Sequence, residues 1–225
     1  MHHEQSMKQT LFLHQISLLE EALQAGLPGQ TAQLLMAPAN RDELIRNSRG
    51  MENARRSAVL ILLFQDENQA LSTAFIKRME YEGVHSGQVA FPGGKYEEED
   101  KDLIATALRE ANEEAGIRPD TVRVFGTLSD LFVPPSNFII SPVLACSLNK
   151  PVFTPDRTEV AEIFTLPLSH FTDHSNIVER DFHPRSGNPV RVPGYQAGDY
   201  FIWGATAMIL SELIALAVNA GTLKG

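Results

Sequence analysis

Ser57-Ala58-Val59-Leu60-Ile61-Leu62-Leu63-Phe64 is an unbroken apolar run of strand length. A strand without polar alternation suits the buried centre of a sheet, so this run sets the frame for the rest of the chain. Asp66-Glu67-Asn68-Gln69 is turn-like and Leu71 to Lys77 makes a second strand, which together predict a hairpin. Gln88 to Phe91 is a short strand broken by Pro92-Gly93-Gly94, and a helix follows from about Asp102 to Ala115. Further strands are expected at Thr121–Thr127, Phe138–Ser147, Glu159–Thr165, Asn176–Phe182 and Tyr200–Trp203. Leu166-Pro167-Leu168 begins a short helix or turn, and Ala205 to Ala220 reads as a mostly buried helix. Residues 8–26 form an amphipathic helix carrying Leu11, Ile16, Leu19, Ala22 and Leu23 and closed by Gly26-Leu27-Pro28-Gly29. Residues 1–53 are therefore read as an N-terminal helical extension packed on a main domain spanning 54–225. Hairpin-length links between strands favour a three-layer α/β/α sandwich with a mixed sheet over a doubly wound parallel fold.

The helix near residue 110 carries the chemistry. Glu110, Glu113 and Glu114 stand at i, i+3 and i+4, so one helical face presents three carboxylates. Like charges at that spacing repel by a few tenths of a kcal/mol per pair. Their concentration is unfavourable unless a cation joins them, and a hard divalent ion that takes oxygen ligands is the natural partner. Ile104, Ala107, Leu108, Ala111 and Ala115 lie on another face, so the helix packs one side and offers the other.

Composition narrows the class. A net charge of −9 argues against broad nucleic-acid binding, which normally shows a basic patch. It does not exclude an anionic substrate, since bound metal inverts the field of an acidic cleft. No apolar run approaches the ~20 residues that span a bilayer, and no secretory signal is read at the N-terminus. With one cysteine, Cys146, set in an apolar run, no internal disulfide is expected and the thiol reads as a small buried hydrophobe. The expected compartment is the cytoplasm.

Gly94 followed by Arg109-Glu110-Ala111-Asn112-Glu113-Glu114-Ala115-Gly116-Ile117 resembles the Nudix box, G-x5-E-x7-R-E-U-x-E-E-x-G-U with U a bulky apolar residue. Asp100 stands where that pattern has glutamate, and eight residues rather than seven separate it from Arg109. The resemblance implies a Nudix-type sandwich and hydrolysis of a nucleotide-linked diphosphate with Mg2+ or Mn2+. It makes Glu110 and Glu114 the principal metal ligands, Glu113 a further ligand or water-orienting group, and the Gly94 carbonyl an extra ligand. Arg109 would hold Glu113 through an i,i+4 ion pair. A homodimer is expected only at the level of the family.

The segment upstream is similar to the signature of coenzyme A pyrophosphatases, L-L-T-x-R-[SA]-x3-R-x3-G-x3-F-P-G-G. Arg78, Gly87 and Phe91-Pro92-Gly93-Gly94 fall at the required spacing, and Pro134–Phe138 and Phe201–Ala207 also look like that subfamily. Ala74-Phe75-Ile76, Met79 and Gly83 depart from it; Gly83 replaces the second arginine. If that arginine holds the 3′-phosphate of coenzyme A, then Arg78, Lys77, His85 or Lys95 would have to supply the contact, and an ADP-ribose or dinucleotide pyrophosphatase stays open. A non-catalytic nucleotide-sensing module is a third reading, disfavoured because all three helix glutamates are kept. Other residues stay ambiguous. His85 could touch phosphate, act as a base or bond its own turn. Glu159 could be a general base, another ligand or a surface glutamate. Phe132, Phe138 and Tyr200 read as core before adenine-stacking groups, as does Trp203. Arg157 and Arg180 read as solvated before phosphate-binding.

Overall fold

The computed structural model describes residues 2–79, 87–183 and 188–225, with side chains from residue 9 onward. The chain opens with α1 (His2–Ala25), α2 (Gly29–Gln33) and α3 (Arg41–Arg46). Then come β1 (Arg55–Gln65), β2 (Leu71–Arg78), β3 (Val89–Ala90), β4 (Gly93–Lys95) and α4 (Leu103–Ala115). The second half carries β5 (Arg123–Thr127), β6 (Leu131–Val133), β7 (Phe138–Cys146) and β8 (Val160–Pro167). It ends with β9 (Ile177–Phe182), β10 (Val190–Ala197), β11 (Tyr200–Trp203) and α5 (Gly204–Asn219).

β1 is the central strand the apolar run calls for. It pairs in parallel with β7 along its length and antiparallel with β2 and β4, so the sheet is mixed. Its side chains alternate between two cores. Ile61 and Leu63 face the layer that holds α5, while Ala58, Leu60, Leu62 and Phe64 face Ala107, Ala111 and Ala115 of α4. Helices on both faces account for the lack of polar alternation. Phe12, Ile16 and Leu19 of α1 are buried in the α5 layer. The fold is thus α/β with a mixed sheet between helical layers.

β1 and β2 pair only from Leu63↔Thr73 to Gln65↔Leu71. Beyond that point they part. β4 takes the vacated edge of β1 at Ser57–Val59, and β3 takes that of β2 at Ile76–Lys77. The segment from Val89 to Lys95 is therefore wedged into a split in the sheet. A Cβ on Gly93 would collide with the Ala58 carbonyl and the Val59 backbone, so only glycine fits the wedge.

Three local readings need correction. β10 lies where the sequence suggests no strand, because Arg191, Pro193, Gly194 and Gln196 mask its alternation; it is the centre of a separate antiparallel sheet, β9–β10–β11. β6, three residues long, is likewise a strand beyond those expected. Leu166 and Pro167 end β8, and the following turn starts at Leu168.

Candidate active site

α4 starts where Asp102 caps it, its carboxylate accepting from the Ala105 N–H at 2.8 Å. It stops at Gly116, which adopts the left-handed conformation at φ 69°. Its alanine face docks on β1, which aims Glu110 and Glu114 at the split in the sheet. Glu114 is 3% exposed. One of its oxygens accepts the Gly93 N–H at 2.8 Å and the other pairs with Arg78 at 2.9 Å. Arg78 also donates to the Gly93 carbonyl at 3.0 Å, so the guanidinium clamps helix to wedge. A Cβ on Gly94 would overlap the Glu110 carboxyl group, so the second glycine leaves room for that side chain.

The carboxylates crowd one another. Burial pushes the Glu114 carboxyl up to about 7 against the pull of Arg78 and the Gly93 N–H, and the charges of Glu110 and Glu159 push the same way. Glu110 is raised too, first by burial and then by Glu113 and Glu159, with Arg109 opposing. Glu159, left open by the sequence, thus belongs electrostatically to this cluster. Its backbone carbonyl accepts the Met79 N–H at 2.8 Å, which ties it to the end of β2.

Asp100 and Arg109 form the other half of the site. Arg109 donates to both oxygens of Asp100, from Nε at 2.9 Å and Nη2 at 3.0 Å. The Thr106 hydroxyl and the Glu97 N–H also donate to Asp100, at 2.8 and 3.0 Å. Held by the guanidinium first, the Asp100 carboxyl lies well below the usual carboxylate range, and Arg109 is raised in turn. From this anchor Nη1 reaches Glu110 and Glu113, each at 3.0 Å, and Nη2 reaches the Lys95 carbonyl at 3.1 Å. The i,i+4 pair with Glu113 is present, but it is one of several contacts, and Glu113 is more than half exposed. The extra residue before Arg109 and the shorter acid together still deliver a two-point grip.

Among the expected substrate contacts, Arg78 has its guanidinium on Glu114 and Gly93, Lys77 is half-buried beside Val89 and Glu162, and Lys95 is exposed. His85 and Gly83 lie outside the described residues. Phe132 is buried as core, and Arg55 lies 4.0 Å from the Phe138 ring centre. Tyr200 stacks on Phe164 at 3.8 Å and donates to Glu162, while Arg157 donates to the Ala161 carbonyl. Cys146 is buried, and burial raises its thiol.

Glu110, Glu113, Glu114 and the Gly94 carbonyl offer the all-oxygen donor set that Mg2+ or Mn2+ prefers. The shared repulsion on Glu110 and Glu114, and the glycine that makes room for Glu110, fit a cation placed between them. Among the described residues no three His, Cys, Asp or Glu side chains form a ready cage. Arg78 and Arg109 hold the carboxylate oxygens instead, and a cation would take those oxygens over from them. Among the described residues, no helix is long and apolar enough to cross a membrane.

Comparison with known proteins places this geometry. A model of the NUDIX domain matches residues 54–185. The chain is 38% identical over 170 residues to an uncharacterized Nudix hydrolase, NudL, of Enterobacter sp. (strain 638), covering 74% of this chain and 84% of that one. It is 39% identical over 161 residues to NudL of Yersinia pestis (strain Pestoides F), covering 71% and 78%. A solved MutT/nudix family protein from Enterococcus faecalis superposes at TM-score 0.47 and 16% identity, covering 76% of this chain and 62% of that one. The glycine wedge and its crowded glutamates therefore sit inside a recognised domain: the chain belongs to the NUDIX family and is a Nudix hydrolase of the type that acts on pyrophosphate bonds.

Proposed function

We propose that the chain is a divalent-cation-dependent pyrophosphohydrolase cleaving the diphosphate of coenzyme A or its acyl thioesters, to a phosphopantetheine product and adenosine 3′,5′-bisphosphate. The observation that carries the reading is Glu114, buried, raised to about 7 and pressed by Glu110 and Glu159. Such a cluster is unfavourable in the protein alone and becomes favourable around Mg2+ or Mn2+. When bound, the cation supplies charge neutralisation for the diphosphate and a lowered pKa for attacking water.

The chain's own residues do the rest. Gly93 and Arg78 set the Glu114 carboxylate, and Asp100 sets Arg109, which orients Glu110 and Glu113. The Glu159 carboxylate takes the proton of the attacking water. Water bonds to one phosphorus, the bridging P–O bond opposite breaks, and the leaving phosphate departs as an anion. Lys77 and Lys95 border the wedge and would meet phosphate oxygens.

The coenzyme A assignment rests on Arg78, Gly87 and Phe91–Gly94 at their spacing. Gly83, at the place of the second arginine, favours a second reading in which ADP-ribose or a dinucleotide is the substrate. A panel of coenzyme A, 3′-dephospho-coenzyme A, ADP-ribose and diadenosine polyphosphates with Mg2+ and Mn2+ separates them. A clear preference for coenzyme A over its dephospho form is expected. Equal rates would remove the 3′-phosphate from recognition, and undiminished turnover in excess chelator would overturn the cation-dependent hydrolase.

A further inference from the structure

The β9–β10–β11 sheet carries an outward face that the chemistry above leaves unused. Its register sets Val178, Gly194 and Trp203 in one row, and Arg180 and Phe182 follow Val178 on the same face of β9. Phe182 and Trp203 meet across it with ring centres 4.7 Å apart, and the Arg180 guanidinium lies 4.5 Å from the Phe201 ring centre. Arg180 also donates to the Gln196 side-chain carbonyl at 2.6 Å. The Arg180–Phe201 diagonal passes over Gly194, where a Cβ would strike the Phe201 ring, and the Phe182–Trp203 diagonal runs parallel to it over the buried Val192. The opposite face, with Tyr195 and Ile202, is buried in the core. Phe182 remains 39% exposed. A ring pair of one exposed and one half-buried member, beside an aromatic-stacked guanidinium, suits a planar, electron-rich ligand with anionic groups, and the chain is otherwise acidic.

The platform borders the wedge. Three residues past Trp203, the Thr206 hydroxyl donates to the Val89 carbonyl at 3.0 Å, and β11 packs beside β3. Ala90 at the end of β3 lies three residues before Gly93, about 10 Å of extended chain. We propose that Phe182 and Trp203, with Arg180, form a stacking subsite for the nucleobase of the substrate whose diphosphate lies at Glu110 and Glu114. The subsite rests on the pyrophosphohydrolase reading for its ligand but not for its detection.

Trp203 is the sole tryptophan, so it reports directly. Titration of the full chain with AMP should change its emission, while ribose 5-phosphate should not. Phe182→Ala should weaken AMP binding and raise KM for coenzyme A about tenfold, with kcat within twofold, the size expected for loss of one base–aromatic stack. Phe182→Leu keeps the apolar bulk without the ring face and should reproduce most of that loss, with an unchanged circular dichroism spectrum. Unchanged emission with AMP, or a KM within twofold of wild type in Phe182→Leu, overturns the subsite even where hydrolysis proceeds. Conversely, an AMP response in a chain that hydrolyses none of the panel sustains the subsite and overturns the hydrolase reading.

Discussion

Two buried glutamates, Glu114 and Glu212, show what separates a site from a strut. Glu212, in the middle of α5, is 0% exposed. Its Oε1 accepts the N–H groups of Gly29 and Ser129 at 3.1 and 3.2 Å, and its Oε2 accepts the Gln33 amide at 2.8 Å. Neutral donors from three segments satisfy it, and it locks the start of α2 and the link before β6 onto α5. Glu114 is nearly as buried; burial first, and then the charges of Glu110 and Glu159, raise its carboxyl against Arg78 and the Gly93 N–H. Burial is common to both. Glu114 has like charges beside it where Glu212 has hydrogen-bond donors, and a cation placed among those carboxylates would relieve their repulsion.

The largest effect is expected at the crowded member. Glu114→Gln should lower turnover about a thousandfold, the scale of losing a cation's transition-state stabilisation. It should leave the metal-free fold no less stable at pH 8, because the raised Glu114 is destabilising when ionised. A lowered melting temperature at pH 8 would mean that Glu114 is a strut like Glu212.

Glu212→Gln should do the reverse. It sets amide hydrogens against donors that need an acceptor, at a cost of about 2–3 kcal/mol in denaturant unfolding. The kcat of the folded fraction should be unchanged; a kcat loss at full folding would erase the distinction between the two glutamates.

Acid tests separate the two halves of the site itself. A raised group binds its proton more tightly when folded, so ionisation of Glu114 lowers metal-free stability as pH rises from about 4.5 to about 7. A cation must displace that proton, so affinity should fall by up to about tenfold per pH unit below 7. Asp100 has the opposite sign. Its depressed carboxyl contributes stability in full above the ordinary carboxylate range, and that contribution fades as pH falls through and below it. Asp100→Asn should cost about 2 kcal/mol at pH 7 and flatten the acid limb of the stability profile. An unaltered acid limb in that variant would show that Arg109 is held by other partners. The smallest effect is expected far from the crowding: Tyr200→Phe removes the bond to Glu162 and should cost no more than about 1 kcal/mol in thermal unfolding.

Much of this was readable from residues alone, and for identifiable reasons. The β1 run and the α4 spacing are local signals, so the central strand and the glutamate face follow directly from them. β10 was hidden because its proline and glycine imitate a loop. Pairing on both sides, with the Phe201 ring packed over Gly194, makes it a strand. Asp100 reads as a departure in the sequence, since spacing cannot show that a shorter acid one residue further away still meets two nitrogens of Arg109. Arg78 is legible in the sequence as a signature position and a candidate phosphate contact; its tie to Glu114 depends on the split between β1 and β2. Glu212 offered one signal, a lone acid in an otherwise apolar helix, but its donors lie far away in sequence, at Gly29, Gln33 and Ser129.

Mn2+ binding at pH 8, followed by electron paramagnetic resonance in the wild type and in Glu114→Gln, decides whether the crowded carboxylates of Glu110 and Glu114 hold a cation. The wild type should take up Mn2+, and the variant should bind it at least about tenfold more weakly. Equal affinities in the two proteins would contradict a cation site there.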